Sequence, residues 1–316
     1  MRIARALLTT VILAASALAQ APAQNPPTFP KPAPKQEEPD ITFRSDVKLV
    51  NVFVTVTDQT GAPVGNLLKD DFTLLEDGHP EKIALFSRES ELPLSIVVAI
   101  DTSLSTKNNL KLELDSARRF VHAIVRPVDA VSLFTFSELV DQLVGFTPDV
   151  QRIDRAIERI RPGSATAVYD AVYLGSEALE NRQGRKVMVM ITDGGDTMSK
   201  VDFHEAVREA QQSEAIVYPV IIVPIESSAG RDIGGEHALI EIARETGGKY
   251  YYASDLNTLD RAFKQISDEL RTQYLLAYYP SRRLADSSFR RLQVDVKGHP
   301  ELHARHRAGY YTSKNR

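Results

Sequence analysis

The sequence predicts an α/β protein: a doubly wound, mostly parallel sheet of six strands, with a smaller β-sandwich module at its flank. Three observations predict it. Between residues 92 and 272, apolar β-branched runs alternate with segments whose apolar residues recur every three or four positions. Two of those runs are almost continuously apolar, as strands covered on both faces must be. Outside that stretch, at 41–91 and again at 273–316, short strand patterns occur with no helix pattern after them.

The chain has 316 residues, room for one large domain and a smaller one. A formal net charge of −4 with acids and bases intermixed carries no electrostatic footprint for nucleic acid or anionic lipid. Residues 1–19 pair a basic start, Arg2 and Arg5, with a short apolar core and the small-residue ending Ala17-Leu18-Ala19. That is the pattern of a cleaved secretory signal, so the expectation is an exported protein, periplasmic or extracellular, with no stable membrane insertion after cleavage. The sequence has no Cys, so thiolate metal sites and thiol nucleophiles are excluded and stability rests on core packing and bound ions. Residues 20–40 are dense in Pro with Gln and Lys, a composition that stays extended and solvated as a linker.

In the 41–91 segment, Val47, Leu49, Val52, Val54 and Val56 supply strand positions, Asp58-Gln59-Thr60-Gly61 a turn, and Asp71 to Gly78 a further strand and turn. So few strands are marginal alone, which calls for partner strands elsewhere. Within 92–272 the expected strands are 94–100, 131–136, 139–146, 186–192, 216–223 and 249–252. Only Ser137 and Glu138 separate the second from the third, so that pair is a hairpin and one strand runs antiparallel. Leu110, Leu114, Ala117, Val121 and Ile124 form one apolar stripe of a helix. Thr147-Pro148-Asp149 reads as cap, first-turn Pro and dipole-favoured acid of the next helix, with Ile153, Ile157 and Ile160 inward. Further helices are expected at 167–180, 202–213, 236–246 and 256–271, and 226–235 as a surface loop. Strands return at 274–279, 289–296 and 303–311, and packing them on the 41–91 segment would give both halves a partner.

The run from Ser95 to Ile100 ends in Asp101-Thr102-Ser103-Leu104-Ser105, and a second buried strand ends in Thr192-Asp193-Gly194-Gly195-Asp196. In doubly wound folds ligands bind outside the carboxyl ends of the strands, where both acids fall. Between them, Arg161 to Thr166 is a turn-rich loop with Thr166 at the start of a helix. Two carboxylates and up to three hydroxyls make a hard, all-oxygen donor set that suits Mg²⁺ or Mn²⁺. The glycines after Asp193 allow close backbone approach or positive φ. Taken alone, each piece is also a common Asx turn or helix cap, and Asp196 reads either as a further member of the shell or, in preference, as the cap of the helix that follows.

Asp101-x-Ser103-x-Ser105, Thr166 and Asp193, in this order, resemble the metal-ion-dependent adhesion site of von Willebrand factor type A domains. The resemblance spans roughly 92–266 and implies a Rossmann-like sheet with one reversed edge strand. It further implies that Ser103, Ser105 and Thr166 contact the ion, that Asp101 and Asp193 act largely through water, and that a carboxylate of a partner protein fills an open coordination position. Leu104 stands where many relatives have Gly. With 274–280, 289–294 and 307–311, the chain looks like exported bacterial members described chiefly from acidobacteria. The expected function is non-enzymatic protein binding of the adhesion type; the alternative is an envelope scaffold with an incidental metal site.

Other candidates carry less. His299, His303 and His306 lie among Arg and Lys and read as surface residues. Tyr250-Tyr251-Tyr252, Tyr278-Tyr279 and Tyr310-Tyr311 fit half-buried β packing better than a sugar platform. No nucleophile elbow, phosphate loop or dinucleotide fingerprint occurs.

Overall fold

A computed structural model describes residues 49–88, 92–104, 110–223, 233–282 and 288–312. The signal and linker segments, Val47 and Ser105 lie outside the described residues, as does most of the loop expected at 226–235.

In β1 (Val50–Thr57) the alternate residues Val50, Val52, Val54 and Val56 are all buried, a period that gives the strand one core face. β2 (Phe72–Glu76), β3 (His79–Pro80) and β4 (Ile83–Arg88) complete the first segment. These strands do not form one sheet among themselves. β1 and β4 both pair with β11 (Tyr274–Tyr278), and β2 pairs with β12 (Phe289–Val296). The third C-terminal strand expected at 303–311 is two strands: β13 (His303–Arg305) joins β1, while β14 (Gly309–Tyr311) joins β12. The orders are β13-β1-β11-β4 and β14-β12-β2-β3, two four-stranded sheets that enclose one core. Across that core the Phe72 and Tyr274 rings meet at 5.1 Å.

The flanking sandwich also buries a carboxylate. Glu76 is fully buried and accepts from the hydroxyls of Tyr278 at 2.6 Å and Tyr310 at 2.8 Å, with Arg282 at 3.5 Å. Two tyrosines of the C-terminal pairs are therefore core residues that donate hydrogen bonds to a buried N-terminal acid. His306 is also not a surface residue: its Nε2 accepts from Val294 N–H and its Nδ1 donates to the Arg307 carbonyl, and burial holds its pKa down.

Between the two β segments lies the α/β domain. Its sheet runs β10 (Tyr251–Ala253), β9 (Ala215–Ile222), β8 (Arg185–Thr192), β5 (Leu94–Asp101), β6 (Ala130–Phe136), β7 (Val140–Thr147). All neighbours are parallel except β6 and β7, the hairpin pair. Every residue of β5 is buried, with Leu94, Ile96, Val98 and Ile100 in one core and Val97 and Ala99 in the other. α1 (Leu110–Ile124), α2 (Val150–Ile157) and α6 (Leu256–Thr272) cover the first face; α3 (Val168–Leu179), α4 (Phe203–Gln212) and α5 (Ile233–Thr246) cover the second. Fully burying one such Val or Ile stabilises by roughly 1.5–3 kcal/mol, so these two layers fix the sheet on which the site stands.

Two local readings need correction. The cap of α2 is Asp149, whose Oδ1 accepts from Gln151 and Arg152 N–H, while Thr147 ends β7. α5 starts at Ile233, so Gly234 and Gly235 lie in its first turn and not in a loop. The reason for those glycines is tertiary and appears at the site.

Candidate functional site

β5 and β8 lie side by side in register, Ile100 opposite Ile191, so Asp101 and Thr192 end their strands level with each other. Asp101 is fully buried, and its carboxylate is held on both sides. Oδ1 accepts from Ser103 N–H at 2.8 Å, and Oδ2 accepts from the Thr192 hydroxyl at 2.7 Å. Thr192 in turn accepts from Gly194 N–H at 3.2 Å, which closes the first turn behind Asp193. Gly194 takes φ +139°, a conformation open to glycine alone at little cost.

Three loops meet at this edge through main-chain bonds. Gly163 N–H donates to Thr102 O at 2.6 Å, tying the 161–166 loop to the end of β5. Thr166 O accepts from Thr197 N–H at 2.8 Å and Met198 N–H at 3.2 Å, tying that same loop to the segment after β8. The Thr197 hydroxyl adds a bond from Thr166 N–H at 3.0 Å. Asp101, Ser103, Thr166 and Asp193 therefore stand on loops that are bonded to one another; Ser105 lies outside the described residues. Ala167, not Thr166, is the cap residue of α3, and among the described residues the Thr166 hydroxyl has no hydrogen-bond partner. A hydroxyl that caps nothing is available to a ligand.

Asp196 has a different task from the one expected. It accepts from Tyr169 N–H at 3.3 Å and from Ser199, so it serves the start of α3, and Asp202 is the cap of α4. Its charge is used by a helix N-terminus, which favours an anion.

Electrostatics mark the edge as short of positive charge. Burial, with a contribution from Asp193, pushes Asp101 up to about 6 despite the bonds from Thr192 and Ser103. A raised Asp101 carboxyl with Asp193 near it, beside oxygen donors, is a donor set that a hard divalent cation would fit, since such an ion would supply the missing charge. No three His, Asp or Glu groups among the described residues converge closely enough to hold an ion by themselves.

Several contributors were not recognised in the sequence. Glu138, in the turn between β6 and β7, accepts from Ser164 N–H and Ser164 hydroxyl, both at 2.9 Å, and those bonds hold its carboxyl down at about 2. It clamps the loop that carries Thr166. Gly235 of α5 packs on the backbone of Gly194 and Gly195, where a Cβ would lie 2.4 Å from Gly195 Cα. Glu113, on α1, is buried beside Asp101 and Asp193. Its signal was visible: 113 falls on the same helix stripe as Leu110 and Ala117, where an acid breaks the apolar pattern. Leu104, at the position where Gly is common in relatives, is 58% exposed, so its side chain leaves the pocket rather than filling it.

Residues 96–195 match the von Willebrand factor type A domain. Among solved structures, an aerotolerance-related membrane protein from Bacteroides fragilis is 23% identical, the match covering 56% of this chain and 98% of that one, with TM-score 0.44. The vWF domain of the type V pili tip protein Mfa5 from Porphyromonas gingivalis is 13% identical over 56% of this chain and 94% of its own, with TM-score 0.45. Proximal thread matrix protein 1 from the mussel byssus, solved with a zinc-occupied MIDAS motif, is 16% identical over 63% of this chain and 50% of its own, with TM-score 0.51. No curated protein matches. At such identities the solved structures share the fold alone. No helix among the described residues is long and apolar enough to cross a membrane.

Proposed function

Residues 96–195 match the von Willebrand factor type A domain, and from that premise we propose that the chain is an exported, non-enzymatic binding protein. It holds Mg²⁺ or Mn²⁺ at Asp101, Ser103, Ser105, Thr166 and Asp193, and a carboxylate of a protein partner completes the ion's coordination. The observation that supports the proposal is the meeting of the three loops: Gly163 N–H on Thr102 O and Thr197 N–H on Thr166 O tie the segments that carry Asp101, Ser103, Thr166 and Asp193 at one edge of the sheet. When bound, the ion supplies positive charge for an acidic ligand; the chain's own residues orient and neutralise it. Thr192 and Ser103 N–H fix the Asp101 carboxylate, which leaves the hydroxyl of Thr166 free to turn toward the ion. The exposed apolar side chains Leu104, Leu139 and Met198, in three neighbouring loops, offer a partner dry contact area around the polar centre.

Isothermal titration calorimetry with Mg²⁺, Mn²⁺ and Zn²⁺ on wild type and Asp101→Ala tests the reading. The expected result is one site per wild-type chain and none in the variant. Equal titrations of the two proteins would sink it. A pull-down from envelope extract, with and without chelator, then separates a cation-dependent partner from the scaffold alternative, in which the same partner is retained in chelator.

A further inference from the structure

The first turn of α1 carries a carboxylate that none of the five proposed ligands accounts for. Glu113 is 1% exposed, and neither of its oxygens meets a hydrogen-bond donor among the described residues. Burying an ionised carboxylate with no partner costs several kcal/mol, and even the neutral acid leaves polar atoms unsatisfied. Such a group does not persist on an apolar helix stripe without something to bind. The charged groups that act on it are Asp101 and Asp193, and with burial they push its carboxyl up to about 8. Glu113 thus lies on the first turn of α1 within electrostatic reach of Asp101 and Asp193, which end or follow β5 and β8.

We propose that Glu113 is a positioning residue of the cation site, its carboxylate accepting hydrogen bonds from water molecules bound to the ion at Asp101 and Asp193. The inference rests on the cation reading above. Its outer-sphere character follows from spacing, because the acids do not converge closely enough to share an ion directly. Mg²⁺ dehydrates reluctantly and keeps several waters in protein sites, so buried acceptors one water away are the groups that orient it. Partners of this kind typically contribute 10–100-fold to metal affinity. The charge count of the site also changes: three carboxylates in place of two favour a divalent ion over a monovalent one.

The test is calorimetric titration of the full chain with Mg²⁺ and with Mn²⁺, comparing wild type, Glu113→Gln and Glu113→Asp. Gln keeps the size and one acceptor but removes the charge; the expected result is affinity weakened by about 10-fold or more with the stoichiometry kept. Asp keeps the charge and is expected to bind more tightly than Gln, an order that a purely packing role would not produce. Water-proton relaxation of the Mn²⁺-loaded protein is expected to count the same number of bound waters in wild type and Gln. Wild-type affinity in Glu113→Gln overturns the proposal, and so does one extra bound water in that variant, which would make Glu113 a direct ligand. Should Gln fail to fold, the comparison of Asp with wild type decides: a loss of affinity supports the proposal and unchanged affinity overturns it. A wild type that takes up no cation overturns the cation reading itself, and this inference with it.

Discussion

Replacing Gly235 by Ala should weaken a site that Gly235 does not touch with any side chain. The added Cβ would stand 2.4 Å from Gly195 Cα, 2.7 Å from Gly195 N and 2.9 Å from Gly194 C. Carbon atoms pack at about 3.5–4.0 Å, so the start of α5 and the loop after Asp193 must separate by roughly 1 Å. All three obstructing atoms are backbone, and none can rotate away. In an open helix, Gly to Ala would stabilise by about 1 kcal/mol. Overpacking of this kind costs about 1–3 kcal/mol, so the net expectation is a loss of about 1 kcal/mol. For a chain of this size that is a fall of about 2–4 °C in Tm. The larger effect should appear in cation binding, because the displaced loop carries Asp193: an affinity about tenfold weaker, or about 1.4 kcal/mol. Differential scanning calorimetry in chelator and titration with Mg²⁺ measure the two effects. Gly145→Ala, where a Cβ meets nothing within 4 Å, is the control and should change neither. A Gly235→Ala protein as stable and as avid as wild type would refute the argument that this helix sets the Asp193 loop.

Asp101 at about 6 and Glu113 at about 8 both lie above their ordinary values of 3.8 and 4.5, so the folded state binds these protons more tightly than the unfolded chain does. Their contribution to stability is full below about pH 4 and is lost as pH rises through 6 to 8, by up to on the order of 5 kcal/mol for Glu113. Denaturant unfolding in chelator should therefore show wild type losing ground to Glu113→Gln across pH 5–8; parallel profiles would contradict the assignment, and added Mg²⁺ should close the gap. Glu138→Ala removes the acceptor of Ser164 N–H and hydroxyl and should weaken Mg²⁺ binding several-fold by loosening the Thr166 loop, with little change in Tm; an unchanged titration would deny the clamp a role. Deleting 273–316 removes β11 from between β1 and β4, β13 from the other edge of β1, and β12 with β14 from beside β2. Limited proteolysis should then cut within 46–91 and apolar dye binding should rise, whereas protection of that region would show that the N-terminal segment folds alone.

Most of the sheet could be read from residue order because burial on both faces demands near-continuous apolar runs, and in β5 and β8 such runs lead to the acids at or just past their ends. The hairpin of β6 and β7 followed from the two residues between the runs, too few for a crossover. The proposed donors follow from local pattern too: Asp101 and Asp193 come last on, or just after, near-continuous apolar strands, and Thr166 ends a turn-rich loop before a helix. What sequence could not supply was the identity of partners across space. Asp149 rather than Thr147 caps α2, and Asp196 serves α3 rather than α4, because a carboxylate binds whichever N–H groups the fold brings near, and local order names only the nearest in the chain. The 303–311 segment reads as one strand, yet its two ends go to different sheets, since pairing is decided by which edge each half meets. Glu76, Glu113 and Gly235 share that character. What a buried acid meets is set by the fold, two tyrosines and an arginine for Glu76 and two further carboxylates for Glu113, and a glycine is required only because another backbone passes within van der Waals reach. Sequence thus determined the elements, the edge of the sheet and the chemistry of its donors, all properties of local pattern. Tertiary structure alone decided which loops are tied together and which buried charge stands without a partner, because those depend on distances between residues far apart in the chain.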